Sequence, residues 1–307
     1  MTSQSPRTTA APPRRKKRRD GWVALVFLSP LLVMYAIYFA YSIFFLGETS
    51  FQKVGIAMLR PVQVGFENYR LLFTDPVFAQ SIINNLVFAA ISIVAALSIA
   101  FFIAVALSTG VRGRKWFYLL FLLPALMPVS LVATIFGSML QERFGILNET
   151  LRSIGLGALA QSWLTTPALA YTAVALIFCY LIGLPIMYYT ADLSALPTSA
   201  LEAALLDGAG TWRIMGSIIY PMMRGTHITV ILALLLGSFR ALEVVLFSTG
   251  GGPGTTTEIV GTYLYGYVNS TGKTIGYASA ASIVVLIIAL GISLVQMYLT
   301  RTRKADL

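Results

Sequence analysis

The stretch IINNLVFAAISIVAALSIAFFIAVALS, Ile82 to Ser108, decides the fold, because it carries no Asp, Glu, Lys or Arg. As a helix it exceeds the roughly 20 residues that cross a hydrocarbon layer of about 30 Å. Working outward, the same length test is met by Trp22 to Leu46, Trp116 to Leu140, Pro167 to Ala191, Thr226 to Ser248 and Tyr277 to Leu299. The whole chain of 307 residues is 57% hydrophobic and 11% charged, with a mean hydropathy of +0.78. Soluble domains carry about 25% charged residues. The reading is therefore all-α: a polytopic membrane helical bundle of about six transmembrane helices, spanning residues 21–300.

Two of these blocks are broken. Pro124 and Pro128 interrupt the third, and Gly183-Leu184-Pro185 the fourth. Lipid tolerates such breaks only where a neighbour or a cavity satisfies the freed backbone groups, so both helices are expected to line something.

A net charge of +10 suggests nucleic acid only if the basic residues share a soluble face with aromatics. Here they sit at the ends of apolar blocks, and no nucleic-acid partner is expected; the partner is membrane lipid. Residues 1–20 hold Arg7, Arg14, Arg15, Lys16, Lys17, Arg18 and Arg19 among Ser, Thr, Pro and Ala, too little apolar content to fold. They read as a disordered basic tail. Trp22 to Leu46 is longer than the h-region of a signal peptide, about 7 to 15 residues, so it is a retained helix. Cys179 is the only cysteine, which excludes an intrachain disulfide.

Orientation follows from the Lys and Arg of the loops. With both termini inside, the tail, Arg112, Arg114, Lys115, Arg213, Arg224, Arg301, Arg303 and Lys304 lie inside. Lys53, Arg60, Arg70, Arg143, Arg152 and Lys273 lie outside. The bias makes both termini cytoplasmic, with 301–307 a short C-terminal tail and 192–225 the largest inner loop.

Within that loop, Glu202 to Leu206 favours helix, Gly208 and Gly210 permit a sharp turn, and Trp212 to Tyr220 resumes a helical pattern that ends at Pro221. Small alanines admit a close backbone, and Glu202 and Asp207 offer acceptors to a basic partner. The loop is either an amphipathic helix lying on the membrane or a knob suited to another protein's groove.

A resemblance separates the two. Glu202-Ala203-Ala204, Asp207-Gly208-Ala209, Ile219 and Pro221 resemble the cytoplasmic signature loop of ABC-importer permeases. Gly65-Phe66-Glu67-Asn68-Tyr69, Asp75-Pro76, Phe78, Gly145, Asn148 and Thr249-Gly250-Gly251-Gly252-Pro253 narrow it to carbohydrate permeases similar to the maltose and glycerol-phosphate type. The resemblance covers roughly residues 25 to 300. It implies a prokaryotic cytoplasmic (inner) membrane protein that works with a second homologous permease, two ATPase subunits and an extracytoplasmic sugar-binding protein. It implies coupling to an ATPase through Glu202, Ala203, Ala204, Asp207, Gly208 and Ala209. ATP and magnesium would belong to the partner subunits, with no cofactor, metal or catalytic residue in this chain. The chain runs about two residues short of the family pattern between Pro185 and Pro197. An ion-coupled secondary sugar transporter and a permease for a non-sugar solute are the alternatives.

An ionisable residue inside a membrane is a functional hypothesis. Arg240 and Glu243 in the fifth block are three residues apart, so on a helix they share a face and can pair. Leu234, Gly237, Ser238 and Ala241 form a second face that admits either a sugar or a neighbouring helix. The resemblance implies that this face borders the pathway, with Ser238 the expected sugar contact.

Other signals are weaker. Gly266 to Thr274 ends like a phosphate-binding loop, but Tyr267 stands where glycine is required. Asn148-Glu149-Thr150 and Asn269-Ser270-Thr271 fit a glycosylation pattern, and a prokaryotic chain makes no use of it. His227, the only histidine, reads as solvated or carbonyl-bonded. Tyr263, Tyr265 and Tyr267 alternate in an outer loop, as an interfacial belt or a surface for a binding protein.

Overall fold

The computed structural model describes residues 17–109, 111–268 and 274–304. Most of the basic tail, residues 269–273 of the near-miss phosphate loop and the last three residues lie outside them. Two compact units divide at Glu48 and Thr49. The first holds all but the last two residues of helix α1, Lys17–Ser50, whose first turn takes in Lys17 to Asp20 of the expected tail.

In the second unit, β1 (Gln52–Lys53) pairs antiparallel with β2 (Val62–Gln63), Gln52 opposite Gln63. Helix α2 (Glu67–Thr74) leads into α3 (Pro76–Ala95), which runs through a π-turn at Ala96–Ala100 into α4 (Phe101–Ser108). Then come α5 (Arg114–Leu126), α6 (Val129–Met139), α7 (Ile146–Ser153), α8 (Pro167–Tyr180) and α9 (Gly183–Leu193). The large loop holds α10 (Thr198–Leu206), α11 (Thr211–Ile214), a π-turn at Met215–Ile219 and α12 (Tyr220–Met222). The chain closes with α13 (Arg224–Ser238), α14 (Leu242–Leu246), α15 (Val260–Val268) and α16 (Ile275–Lys304).

Among the described residues, four helical stretches are long and apolar enough to cross a membrane: Leu25–Ser50, Pro76–Ser108, Pro167–Leu193 and Ile275–Tyr298. Two bent pairs pass the same test together, α5 with α6 at 97° and Thr211–Met222 with α13 at 68°. Each bent pair taken as one span gives the expected six. The third block is thus sharply bent, because the residue before a proline is pushed out of the α region; Met127 is extended, at φ −81° and ψ 146°. The helical stretch that opens at Thr211 ends at Met222, one residue past Pro221, close to where the pattern ends it.

Small residues set the packing, as they do where helices must approach within lipid. Ala96, Ala100 and Ala104 are fully buried against Ile186, Tyr189 and Met223. Gly183 opens α9 where a Cβ would stand 2.8 Å from the Phe121 carbonyl of α5.

Polar side chains close the remaining backbone. Asp75 caps α3 through Oδ1, which accepts from the Val77 N–H at 2.8 Å. Its Oδ2 accepts from the hydroxyls of Tyr263 (2.6 Å) and Tyr277 (3.1 Å). Burial pushes the Asp75 carboxyl up, but the bonds from Tyr263, Val77, Tyr277 and Phe78 outweigh it and hold the carboxyl below its ordinary 3.8. The three tyrosines expected in an outer loop lie instead on helix α15, and Tyr263 is buried against α3 and α16. An interfacial belt does not describe it.

Candidate functional site

The fifth block is not one helix. Its first part, α13, ends at Ser238, and α14 begins at Leu242. A break in lipid leaves carbonyls and N–H groups that must find partners, and here they come from far along the chain. The Asn85 amide donates to the Ser238 carbonyl at 2.5 Å and accepts from the Val260 N–H at 2.8 Å. The adjacent Asn84 donates to the carbonyls of Thr256 (2.9 Å) and Glu258 (2.7 Å).

The break overturns the expected pairing of Arg240 with Glu243. Arg240 lies in the turn between the helices, so the two no longer share a helical face, and no ion pair joins them among the described residues. Glu243 Oε2 instead accepts from the Ser130 N–H at 2.9 Å. Ser130 is in the first turn of α6, just past the sharp bend, where unpaired N–H groups and the helix dipole favour an anion. Glu243 thus caps one broken helix from another.

Beside this break lies a cavity of about 350 Å³, within the range of small-molecule sites. Its wall includes Gly237, Ser238, Arg240, Ala241 and Glu243, together with Ser92 of α3, Val129 of α6, and Leu184, Pro185 and Tyr188 of α9. The structure therefore brings all five expected pathway residues to one cavity, and both proline- or glycine-broken helices reach it. Ser238 is 3% exposed and its hydroxyl donates to the Leu235 carbonyl at 2.8 Å, so only its acceptor lone pairs remain. Sequence reasoning missed Ser92, Tyr188 and Asn85. The signal for the last was present: two amides, Asn84 and Asn85, inside an otherwise apolar block.

The loop residues form a second site. Helix α10 begins at Thr198, earlier than expected, and ends in a left-handed turn. Gly208 has φ +73°, its N–H donates to Leu205 O, and the Ala209 N–H donates to Ala204 O. That pair of bonds is a Schellman cap, which requires glycine or asparagine at the left-handed position. Ala204 is buried, whereas Glu202, Ala203, Asp207 and Gly208 are exposed and Ala209 half-buried. Beside them Leu206 is 90% and Trp212 76% exposed. This end of the molecule thus presents large apolar side chains with carboxylates beside them.

His227 is buried. Its Nε2 lies 2.9 Å from the Tyr220 carbonyl, which can only accept, so Nε2 carries the proton and Nδ1 accepts from the Tyr189 hydroxyl at 2.9 Å. The carbonyl-bonded reading holds. Asn148 is buried as well, donating to the carbonyls of Glu142 and Gln161 and accepting from the Trp163 ring N–H at 2.7 Å.

Residues 96–304 match the family described as binding-protein-dependent transport system inner membrane component. The chain is 34% identical to the probable ABC transporter permease protein YurN of Bacillus subtilis, over 79% of this chain and 84% of that one. It is 25% identical to the sulfoquinovosyl glycerol transport system permease protein SmoG of Agrobacterium fabrum, over 92% of each. A crystal structure of a bacterial ABC transporter involved in the import of the acidic polysaccharide alginate contains a chain of the same fold. The TM-score is 0.75 at 22% identity, covering 94% of this chain and 98% of that one.

Proposed function

Because this chain belongs to the family of binding-protein-dependent transport system inner membrane components, we propose that it forms half of the translocation pathway of an ATP-driven sugar importer. A second homologous permease completes the pathway, two ATPase subunits supply the work, and an extracytoplasmic binding protein delivers the sugar. The sugar class is supported by the printed role of SmoG and by the carbohydrate-type motifs of the sequence.

The observation that carries the reading is the α10 knob. Its backbone is closed by its own cap, yet Leu205, Leu206 and Trp212 stand exposed beside Glu202 and Asp207. Apolar anchors ringed by charge are what a partner's groove takes up. Closure of the ATPase pair pushes on Glu202 to Gly208. The push passes through α11, α12 and the 68° bend into α13, whose far end forms the cavity wall. The lysine and arginine bias of the loops supports a cytoplasmic side for both termini and the knob.

The test is sugar-stimulated ATP hydrolysis by the reconstituted complex. Replacing Glu202 by Lys abolishes stimulation while leaving the ATPase subunits' own hydrolysis intact. Substitutions at Arg240 shift half-saturation by the sugar. Uptake driven by an ion gradient in vesicles containing this chain alone would instead make it a secondary transporter.

A further inference from the structure

A second cavity, of about 370 Å³, opens where α4, α5 and α9 end or begin, on the same side as the α10 knob; Ser108, Arg114, Lys115, Tyr118, Thr190 and Ser194 line it. None of the five expected pathway residues lines it. Arg114 and Lys115 occupy the first turn of α5, the positive end of the helix dipole, where cations are disfavoured. Neither forms an ion pair among the described residues, and no Asp or Glu lines the cavity. The C-terminal ends of α4 and α9 contribute only about half a negative charge each, and the N-terminal end of α5 offsets one of them, too little to balance two cations.

The hydroxyls of Ser108, Thr190 and Ser194 donate to the carbonyls of Val105, Ile186 and Ala191 in their own helices. The donors left for a ligand are the guanidinium, the ammonium and the Tyr118 hydroxyl. The next residue, Trp116, is 77% exposed, and tryptophan concentrates at the level of lipid headgroups. Beyond it along α5, Leu119, Leu120 and Leu123 are exposed, and Leu119 and Leu123 follow Lys115 at four-residue steps, on its face of the helix.

We infer that this cavity binds the phosphate headgroup of an anionic phospholipid, with Arg114 and Lys115 as the charged clamp and the acyl chains lying along Leu119, Leu120 and Leu123. A basic recess at the cytoplasmic end of membrane helices is chemistry that anionic headgroups fit. Commitment to a lipid rather than a soluble anion rests on the exposed leucines that follow the charges along α5.

The test is titration of the assembled transporter in neutral detergent with phosphatidylglycerol, phosphatidylcholine or inorganic phosphate, read by native mass spectrometry and by thermal midpoint. Phosphatidylglycerol is expected to saturate one site per chain and raise the midpoint, and phosphatidylcholine and phosphate to do neither. Each basic residue near an anionic surface contributes about 1 kcal/mol. Arg114→Gln with Lys115→Gln is therefore expected to weaken phosphatidylglycerol about thirtyfold, and Arg114→Lys with Lys115→Arg to keep it. Equal retention of both lipids, or retention unchanged in the Gln pair, overturns the proposal. So does inorganic phosphate competing as well as the lipid, which makes this a soluble-anion site. Exclusion of phosphatidylglycerol from the assembled complex but not from the lone chain also overturns it, since a protein subunit then covers the recess.

Discussion

The turn at Gly208 and the break at Ser238 both end a helix, but they satisfy their backbones in opposite ways. At Gly208 two short-range bonds, Gly208 to Leu205 and Ala209 to Ala204, close the helix end, and the side chains around it stay exposed. At Ser238 the partner is Asn85, 153 residues away, and the side chains turn inward on a cavity. The difference follows from solvent. Water can serve any group the knob leaves open, whereas a break in hydrocarbon needs a protein donor aimed at it. Leu206, 90% exposed at the tip of this turn, is the anchor that the proposed function assigns to another subunit.

The largest expected effect breaks the exposed side of this comparison. Leu205→Ser with Leu206→Ser removes two apolar anchors, and anchors of this kind carry 2 kcal/mol or more each. Sugar-stimulated ATP hydrolysis by the complex is expected to fall about a hundredfold or more. The thermal midpoint of the isolated chain stays put, because neither side chain is packed. A matched loss of stability would mean that the knob belongs to the chain's own core.

Asn85→Ala attacks the other side. It orphans the Ser238 carbonyl and the Val260 N–H, each at about 1–3 kcal/mol, so the chain is expected to lose about 3 kcal/mol in detergent unfolding. A variant as stable as the parent would show that the break is held by something else. Gly208→Ala forces a Cβ into φ +73°, at about 1–2 kcal/mol. It is expected to lower coupled hydrolysis several-fold without changing sugar half-saturation.

Legibility follows the same division. The spans were readable because lipid demands uninterrupted apolar length. The knob was readable because its glycines and flanking helix formers act locally. The break within the fifth block was not, because Thr226 to Ser248 carries no proline and its one interior glycine, Gly237, falls just before the break. What makes the break tolerable is a pair of asparagines in another block. The three-residue spacing of Arg240 and Glu243 held meaning only on a continuous helix, and its failure moved Glu243 onto α6. Tyr263 misled for a related reason: its partner Asp75 is distant in sequence, so period-two spacing concealed a buried hydrogen bond.

Smaller effects refine the picture outside the break. Asp75→Asn keeps a capping oxygen but loses the charge that accepts from Tyr263 and Tyr277, at about 1 kcal/mol. The folded carboxyl titrates below its ordinary 3.8, so its contribution is full above that value and is lost as pH falls through the depressed one. The stability gap between parent and variant is expected to hold from neutral pH to about 4 and to close only in stronger acid. Ser238→Ala is the smallest change, about 0.5–1 kcal/mol, because its hydroxyl already serves Leu235. An unaltered sugar half-saturation in that variant would assign recognition to Arg240, Ser92 and Tyr188 instead.

The central claim is tested most directly by placing a single cysteine at position 202 (Glu202→Cys, with Cys179→Ser) and adding a short bifunctional crosslinker to membranes carrying the whole transporter. The account predicts a product joining this chain to the ATPase subunit, formed in step with the nucleotide state. Crosslinks that reach only lipid or the second permease, with sugar uptake intact, would contradict it.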